Sequence, residues 1–310
     1  MIDLLIFIVG MAALIGGAEL LIRESERIAL HFGISEFVIG ATLIALGTSL
    51  PEMAASVTAS LKGQSQMAVA NVLGSNIMNI ALVLGAVFLI ARRITPDRDL
   101  FAKDSAWLLF PAIVFPLMTL DGTLSRLDGL LLMAMMGAYL LFLVQSEQTE
   151  ELAEIDEEIK KEPFNWVKTA GWLTAGFALV IGGADYAIES ASAIARGFGV
   201  SEWLIGLLLI AFGTSLPELV VSIKAARAGK ADMSIGNIIG SNMANTSVVL
   251  GSAAVTRPLP FDLSANSFDL FLMMGVTLML IFITANRLYA KASGVMLLIV
   301  LGIFLQHALA

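Results

Sequence analysis

The stretch ALGTSLPE at 45–52 returns almost unchanged as AFGTSLPE at 211–218. Each copy lies inside a long apolar run, yet each carries a glycine, two hydroxyls, a proline and a glutamate. Pro51 has no amide hydrogen, so Gly47 loses its usual helical partner, and the ring disfavours helix at Leu50. The spacing predicts a helix that kinks or breaks here, leaving carbonyls near Ala45 and Gly47 short of partners. At membrane depth such carbonyls must be met by protein, water or an ion. Thr48 and Glu52 are four residues apart and share a helical face, with Ser49 beside Thr48. Gly213, Thr214, Ser215, Pro217 and Glu218 repeat every element.

The likeness extends well beyond this stretch. At a constant offset of 166, IGGAELLI at 15–22 meets IGGADYAI at 181–188, and FGISE at 32–36 meets FGVSE at 198–202. ANVLGSNIMNI at 70–80 meets GNIIGSNMANT at 236–246. About half of all positions from 15 to 85 are identical to their copies without a gap, which is the mark of internal duplication. The second helix of each copy thus adds its own oxygens. Asn71, Ser75 and Asn79 form a stripe at intervals of four, repeated by Asn237, Ser241 and Asn245.

With 58% hydrophobic and 14% charged residues and a mean hydropathy of +0.88, the 310-residue chain lies far outside the soluble range. Ten apolar segments are long enough to span a bilayer: 3–22, 37–62, 67–91, 104–120, 127–145, 167–188, 203–226, 233–256, 268–285 and 292–309. Asp3 and Glu19 argue against a cleavable leader in the first of them. The expected fold is an all-α integral membrane protein of ten transmembrane helices, with helices 2 and 7 broken at the centre. Its parts are a five-helix repeat at 1–145, an acidic cytoplasmic linker at 146–165 and a second five-helix repeat at 166–310. Five is odd, so the second repeat enters the membrane upside down. Inverted repeats of this kind build many secondary transporters, with the substrate held near the midplane between them.

Basic residues set the orientation. With the N-terminus outside, fourteen Lys and Arg fall in inner loops, and only Lys62, Arg126, Arg196 and Arg257 fall outside. Both termini are therefore expected on the extracellular or periplasmic face of the cell membrane.

The candidate site offers hard oxygens alone. The chain has no cysteine, and neither His31 nor His307 lies near these motifs. Such donors suit calcium, sodium or magnesium and argue against zinc, copper or iron. Glu52 and Glu218 are acids deep in spans, where an ionisable group signals function and needs neutralising. One divalent or several monovalent ions would balance the pair, the condition for exchange at a shared site. Gly74, Ser75 and Gly240 also suit close helix packing. Glu19 and Asp185 sit near span ends and read as anchors, and the methionines as core filler.

At these residues the chain resembles the calcium/cation antiporter superfamily, and within it the sodium/calcium exchanger family of prokaryotic type. The paired GTSLPE and GSNxxN motifs carry the resemblance, which covers essentially all ten spans. It implies a core against which the first and sixth helices slide, with sodium entry driving calcium out. It places ion ligands on Ala45 (through its carbonyl), Thr48, Ser49, Glu52, Ser75 and Asn79. In the second copy they fall on Ala211 (carbonyl), Thr214, Ser215, Glu218, Ser241 and Asn245. Glu52 and Glu218 would hold calcium and share sodium, while hydroxyls and carbonyls would serve flanking sodium sites. Proton-coupled members tend to carry Asn where Thr48 and Thr214 stand, and potassium-dependent members carry Asp at Asn245. The resemblance thus favours sodium coupling without potassium. It implies calcium and sodium as transported ions, no cofactor, no nucleic acid, and a monomer embedded in lipid.

The nearest alternative is a proton/calcium, or other divalent cation, antiporter on the same fold. A channel fits inverted repeats around one central site less well. An enzyme is disfavoured because no His or Lys stands at helical spacing from Ser49 or Ser215 to activate them.

Overall fold

The computed structural model describes residues 2–91, 94–146, 164–199 and 213–309. Among them, eight helices are long and apolar enough to cross a membrane, and a bent pair makes a ninth. That pair joins Glu36–Thr48 to Leu50–Leu61 at 44°, so the predicted break in the second span is present. Of the expected seventh span, 203–212 lies outside the described residues, as does most of the acidic linker.

In chain order the helices are α1 (Ile2–Phe32), α2 (Glu36–Ile39), α3 (Ala45–Thr48), α4 (Leu50–Leu61) and α5 (Ser65–Met78). Next come α6 (Gly85–Ile90), α7 (Leu100–Met118), α8 (Arg126–Ser146), α9 (Trp166–Gly197) and α10 (Leu216–Arg227). The last four are α11 (Ala231–Ala244), α12 (Leu250–Thr256), α13 (Ser267–Ala285) and α14 (Lys291–Leu309). Three π-helical segments, Gly40–Ile44, Asn79–Leu84 and Asn245–Val249, run between α-helical stretches of the same spans. The structure is not purely helical. Thr123–Leu124 (β1) pairs antiparallel with Leu259–Pro260 (β2), clipping a loop of the first half to one of the second.

Helix ends repeat as faithfully as the motifs do. Gly33 and Gly199, and Gly63 and Gly229, all have φ between 66° and 81°, a left-handed conformation that glycine adopts without strain. Beyond them, Gln64 donates to the Ala59 carbonyl at 2.8 Å and Lys230 to that of Ala225 at 2.9 Å, closing identical C-caps.

Two spans occupy the centre. In Ser65–Ile90 and Ala231–Thr256, 72% and 83% of the most apolar window is buried, against 22–39% in the other long helices. Glycine lets these central spans meet their neighbours backbone to backbone. A Cβ on Gly40 would strike the Met233 carbonyl, on Gly236 that of Phe37, and on Gly240 that of Ala41. The packing reading of Gly240 holds. At the edge, α1 and α9 cross through their own glycines: Gly10 lies on Gly183, and Gly17 on Gly176. They share a hydrophobic cluster separate from the main core.

Helices α1 and α9 run about ten residues past the expected ends of their spans. The 31 residues of α1 extend about 46 Å, far more than a bilayer's hydrocarbon core. Ion pairs hold its extra turns: Glu24 to Arg27 at 2.9 Å, and Glu26 to Lys230 at 2.9 Å. Burial pulls the Lys230 pKa down, but hydrogen bonds and charge from Glu36 and Glu26 outweigh it and the net direction is upward.

The close crossing makes a prediction. Gly240→Val should destabilise the protein by about 1–3 kcal/mol or more through overpacking, whereas Gly137→Val, where a Cβ meets nothing, should not. Unfolding of the purified variants in detergent measures the difference.

Candidate functional site

From the central serine onward the two repeated stretches adopt the same backbone. Ser49 stands at the break with φ −83° and ψ 6°, and Ser215 at φ −85° and ψ 2°. Pro51 and Pro217 then fall in the first turn of α4 and α10, where no amide is required. One expectation fails at this point. The Ala45 carbonyl is not short of partners, since it accepts the Ser49 amide at 3.1 Å and the Thr48 hydroxyl at 3.3 Å. The last α-turn closes because Ser49 still has an amide to give. Ala211 lies outside the described residues.

Side chains from the two halves meet across the centre. The Ser49 hydroxyl donates to Glu218 Oε1 at 3.3 Å, and that of Thr48 to Asn237 Oδ1 at 3.5 Å. The hydroxyls of Ser75 and Thr214 stand 3.4 Å apart. The halves therefore converge as the duplicated motifs predict.

Many polar atoms here have no hydrogen-bond partner among the described residues. They are both carboxylate oxygens of Glu52, Oε2 of Glu218, the hydroxyls of Ser215 and Ser241, and both amide ends of Asn79 and Asn245. Glu52 and Glu218 are each 0% exposed, and each carboxylate lacks an ion pair to Lys, Arg or His among the described residues. A buried polar atom left unpaired costs about 1–3 kcal/mol, and more when charged. Seven of these atoms are oxygens on neighbouring elements, a set that a bound cation would satisfy.

The donor set defines what kind of ligand fits. No group of three or more His, Cys, Asp and Glu able to hold a metal occurs among the described residues. Two carboxylates with hydroxyl and amide oxygens suit a hard cation that tolerates many neutral donors.

A supporting layer lies just outside. Asn71 Nδ2 donates to Ser56 Oγ at 2.9 Å and to the Glu52 carbonyl at 3.2 Å, and Asn237 Nδ2 donates to Ser222 Oγ at 3.0 Å. Asn71 and Asn237 thus brace the helices that carry the glutamates instead of offering free amides to a ligand. Ser56 and Ser222 escaped the sequence reading, although each follows its glutamate by four residues and they match at the 166 offset. Asn76 Nδ2, also unforeseen, donates to Thr246 Oγ1 at 2.9 Å and so steadies the π-segment that begins at Asn245. Glu19 and Asp185 are not part of this site. Both are exposed, and Glu19 pairs with Lys224 at 3.2 Å.

The chain is similar to known proteins. A family model described as sodium/calcium exchanger protein matches residues 2–145 and 168–310. The inner membrane protein YrbG of Escherichia coli strain K12 is 34% identical over 310 residues, covering 98% of this chain and 95% of that one. The sodium/calcium exchanger MaX1 of Methanosarcina acetivorans is 31% identical over 342 residues, covering 98% and 97%. Among solved structures, the sodium-calcium exchanger NCX_Mj soaked with zero sodium and calcium superimposes with a TM-score of 0.84, at 31% identity and 99% and 98% coverage.

The unpaired carboxylates make a prediction of their own. Glu52→Gln and Glu218→Gln keep the shape and remove buried charge, so each should raise the unfolding temperature in buffer free of sodium and divalent ions. Intrinsic tryptophan fluorescence during heating reads this directly, and a fall in both variants would count against an uncompensated pair.

Proposed function

The chain belongs to the sodium/calcium exchanger family, and on that footing we propose that it is a secondary antiporter coupling sodium entry to calcium extrusion. One observation carries this reading: Glu52 and Glu218 are buried together, without a basic partner among the described residues, amid neutral oxygen donors drawn from both halves. A calcium ion balances both carboxylates at once. Sodium ions do so severally, each completed by nearby hydroxyls and carbonyls. Both ions require the same two carboxylates, so occupancy by one excludes the other, which is the basis of exchange.

In this proposal Glu52 and Glu218 hold calcium and are shared with sodium. Ala45 through its carbonyl, Thr48, Ser49 and Ser75 complete one flanking position. Ala211 through its carbonyl, Thr214, Ser215 and Ser241 complete the other. Asn79 and Asn245 supply amide oxygens, whose unpartnered state supports the assignment. Thr48 and Thr214 favour sodium over proton coupling, and Asn245 argues against potassium as a third ion.

Alternating access follows from the proposed architecture of ten spans in two inverted repeats, 1–145 and 166–310, joined by a cytoplasmic linker. The matched glycine caps, the π-segments beginning at Asn79 and Asn245, and the reciprocal Gly10–Gly183 and Gly17–Gly176 contacts support this symmetry. The family model also fits the two halves separately. The glycine-lined crossing of α1 and α9, Gly10 on Gly183 and Gly17 on Gly176, supports their moving as a pair. The Lys and Arg distribution supports termini outside and the Lys224–Lys230 end in the cytoplasm.

Proteoliposomes loaded with sodium and diluted into sodium-free buffer should take up radioactive calcium, and potassium loading should not substitute. Glu52→Gln and Glu218→Gln should abolish the flux. Ser222→Ala, which removes only a supporting hydrogen bond, should keep it but weaken apparent calcium affinity by about 10–100-fold. Uptake that follows an imposed pH gradient and ignores sodium would move the protein to proton/calcium exchange.

A further inference from the structure

A crevice of about 900 Å³ opens between α1 and α10 at the end of the bundle that carries Lys224, Arg227 and Lys230. Met11, Ile15 and Ile22 of α1 face Val220 and Ile223 of α10 along its walls. From Met11 to Arg23 the helix climbs about 18 Å, close to the roughly 15 Å of hydrocarbon in one leaflet. The apolar walls thus span the depth of a single acyl layer.

The mouth of the crevice is ionic and unevenly satisfied. Lys224 pairs with Glu19 at 3.2 Å, and Lys230 pairs with Glu26 at 2.9 Å and Glu36 at 2.7 Å. Arg23 and Arg227 line the same mouth, are exposed, and pair with no acid among the described residues. A guanidinium presents a planar fork of donors suited to phosphate. At the opposite end the copies of these two positions are Glu189 and Leu61, so no equivalent cationic mouth exists there.

We propose that the crevice is a binding site for an anionic phospholipid of the adjoining leaflet. Its acyl chain lies along the walls between α1 and α10, and its phosphate lies between Arg23 and Arg227. Three acids at the mouth face two lysines, so the two arginines turn its net charge from −1 to +1 and supply the attraction. A free phosphate would leave the apolar walls uncovered, and a zwitterionic lipid would bring its own cation against the arginines.

Native mass spectrometry of the detergent-purified protein tests this, with dioleoylphosphatidylglycerol or dioleoylphosphatidylcholine added at matched concentrations. The wild-type chain should retain one phosphatidylglycerol with an affinity about thirtyfold above phosphatidylcholine, from about 1 kcal/mol per arginine. Arg23→Gln/Arg227→Gln should bring the two lipids to near parity, while Arg23→Lys/Arg227→Lys and Lys62→Gln/Lys291→Gln should keep the preference. Ile15→Trp/Ile223→Trp, which fills the walls and leaves the charges alone, should weaken retention of both lipids. Equal retention by the wild-type chain, an undiminished preference in the glutamine pair, or displacement of phosphatidylglycerol by inorganic phosphate alone would each overturn the proposal. So would loss of the preference in the lysine pair as well.

Discussion

Two carboxylates sit at the centre of this bundle with no positive side chain among the described residues to answer them, and much of the structure follows from tolerating that. A lone buried carboxylate would normally be expelled, protonated or paired with Lys or Arg. Here it is surrounded by serine, threonine and asparagine, which lower the cost of the charge without cancelling it. A permanent basic partner would bind the carboxylates as tightly as any ion and never leave. Neutral donors keep the charge in need of a mobile counter-ion, and a transporter's site has to empty as readily as it fills.

Such a site constrains the backbone as well. Continuous α-helix offers side chains from one face only and spends its carbonyls internally. The break at Ser49 and the π-segments beginning at Asn79 and Asn245 each shift the register at membrane depth, and Ser215 repeats the backbone of Ser49. π-segments within α-helices are rare and concentrate at functional sites, and these two begin at candidate ligands. Their neighbours hold them in place: Asn76 reaches Thr246 from the other half, and glycines let the bent span lie directly on α11.

The site was legible in the sequence because duplication wrote it twice. A motif that returns at an exact offset, with its proline, hydroxyls and acid intact, separates constrained positions from ordinary apolar filler. Several features had no such signal. The π-segments leave no composition mark distinct from α-helix. The ion pair that ties the end of α1 to Lys230 joins residues about two hundred positions apart and forms only in the folded chain. Ala45 looked deprived of a partner because the proline rule was applied two residues too early. The later packing was hidden for a different reason. Gly129 lies on Gly251 and Gly85 on Gly294, so α8 meets α12 much as α14 meets α6, yet the sequence match has faded there. Packing against a common partner preserves small residues at crossings long after the surrounding side chains diverge.

The two ends of the bundle are not equivalent, and this bears on how an exchanger of inverted repeats would be poised. Perfect inversion would make the inward-facing and outward-facing states mirror each other in energy. At one end Glu26 of α1 forms an ion pair with Lys230, and Glu19 forms one with Lys224, so α1 is tied to its neighbours by charge. The corresponding positions at the other end are Ser192 with Gln64, and Asp185 with Thr58. Ser192 turns its hydroxyl back to the Ile188 carbonyl of its own helix at 2.8 Å and makes no bridge of charge. Exposed ion pairs are worth little, but Lys230 and Glu26 are largely withdrawn from solvent, and breaking them would leave charge behind. Motion of α1 against α10 and α11 would therefore have to break an ion pair that Ser192 of α9 cannot form at the matching position. The duplicated motifs at the centre are thus nearly alike, while the charges at the two ends of the repeats differ, and in an exchanger of this design such a difference would bias which face opens.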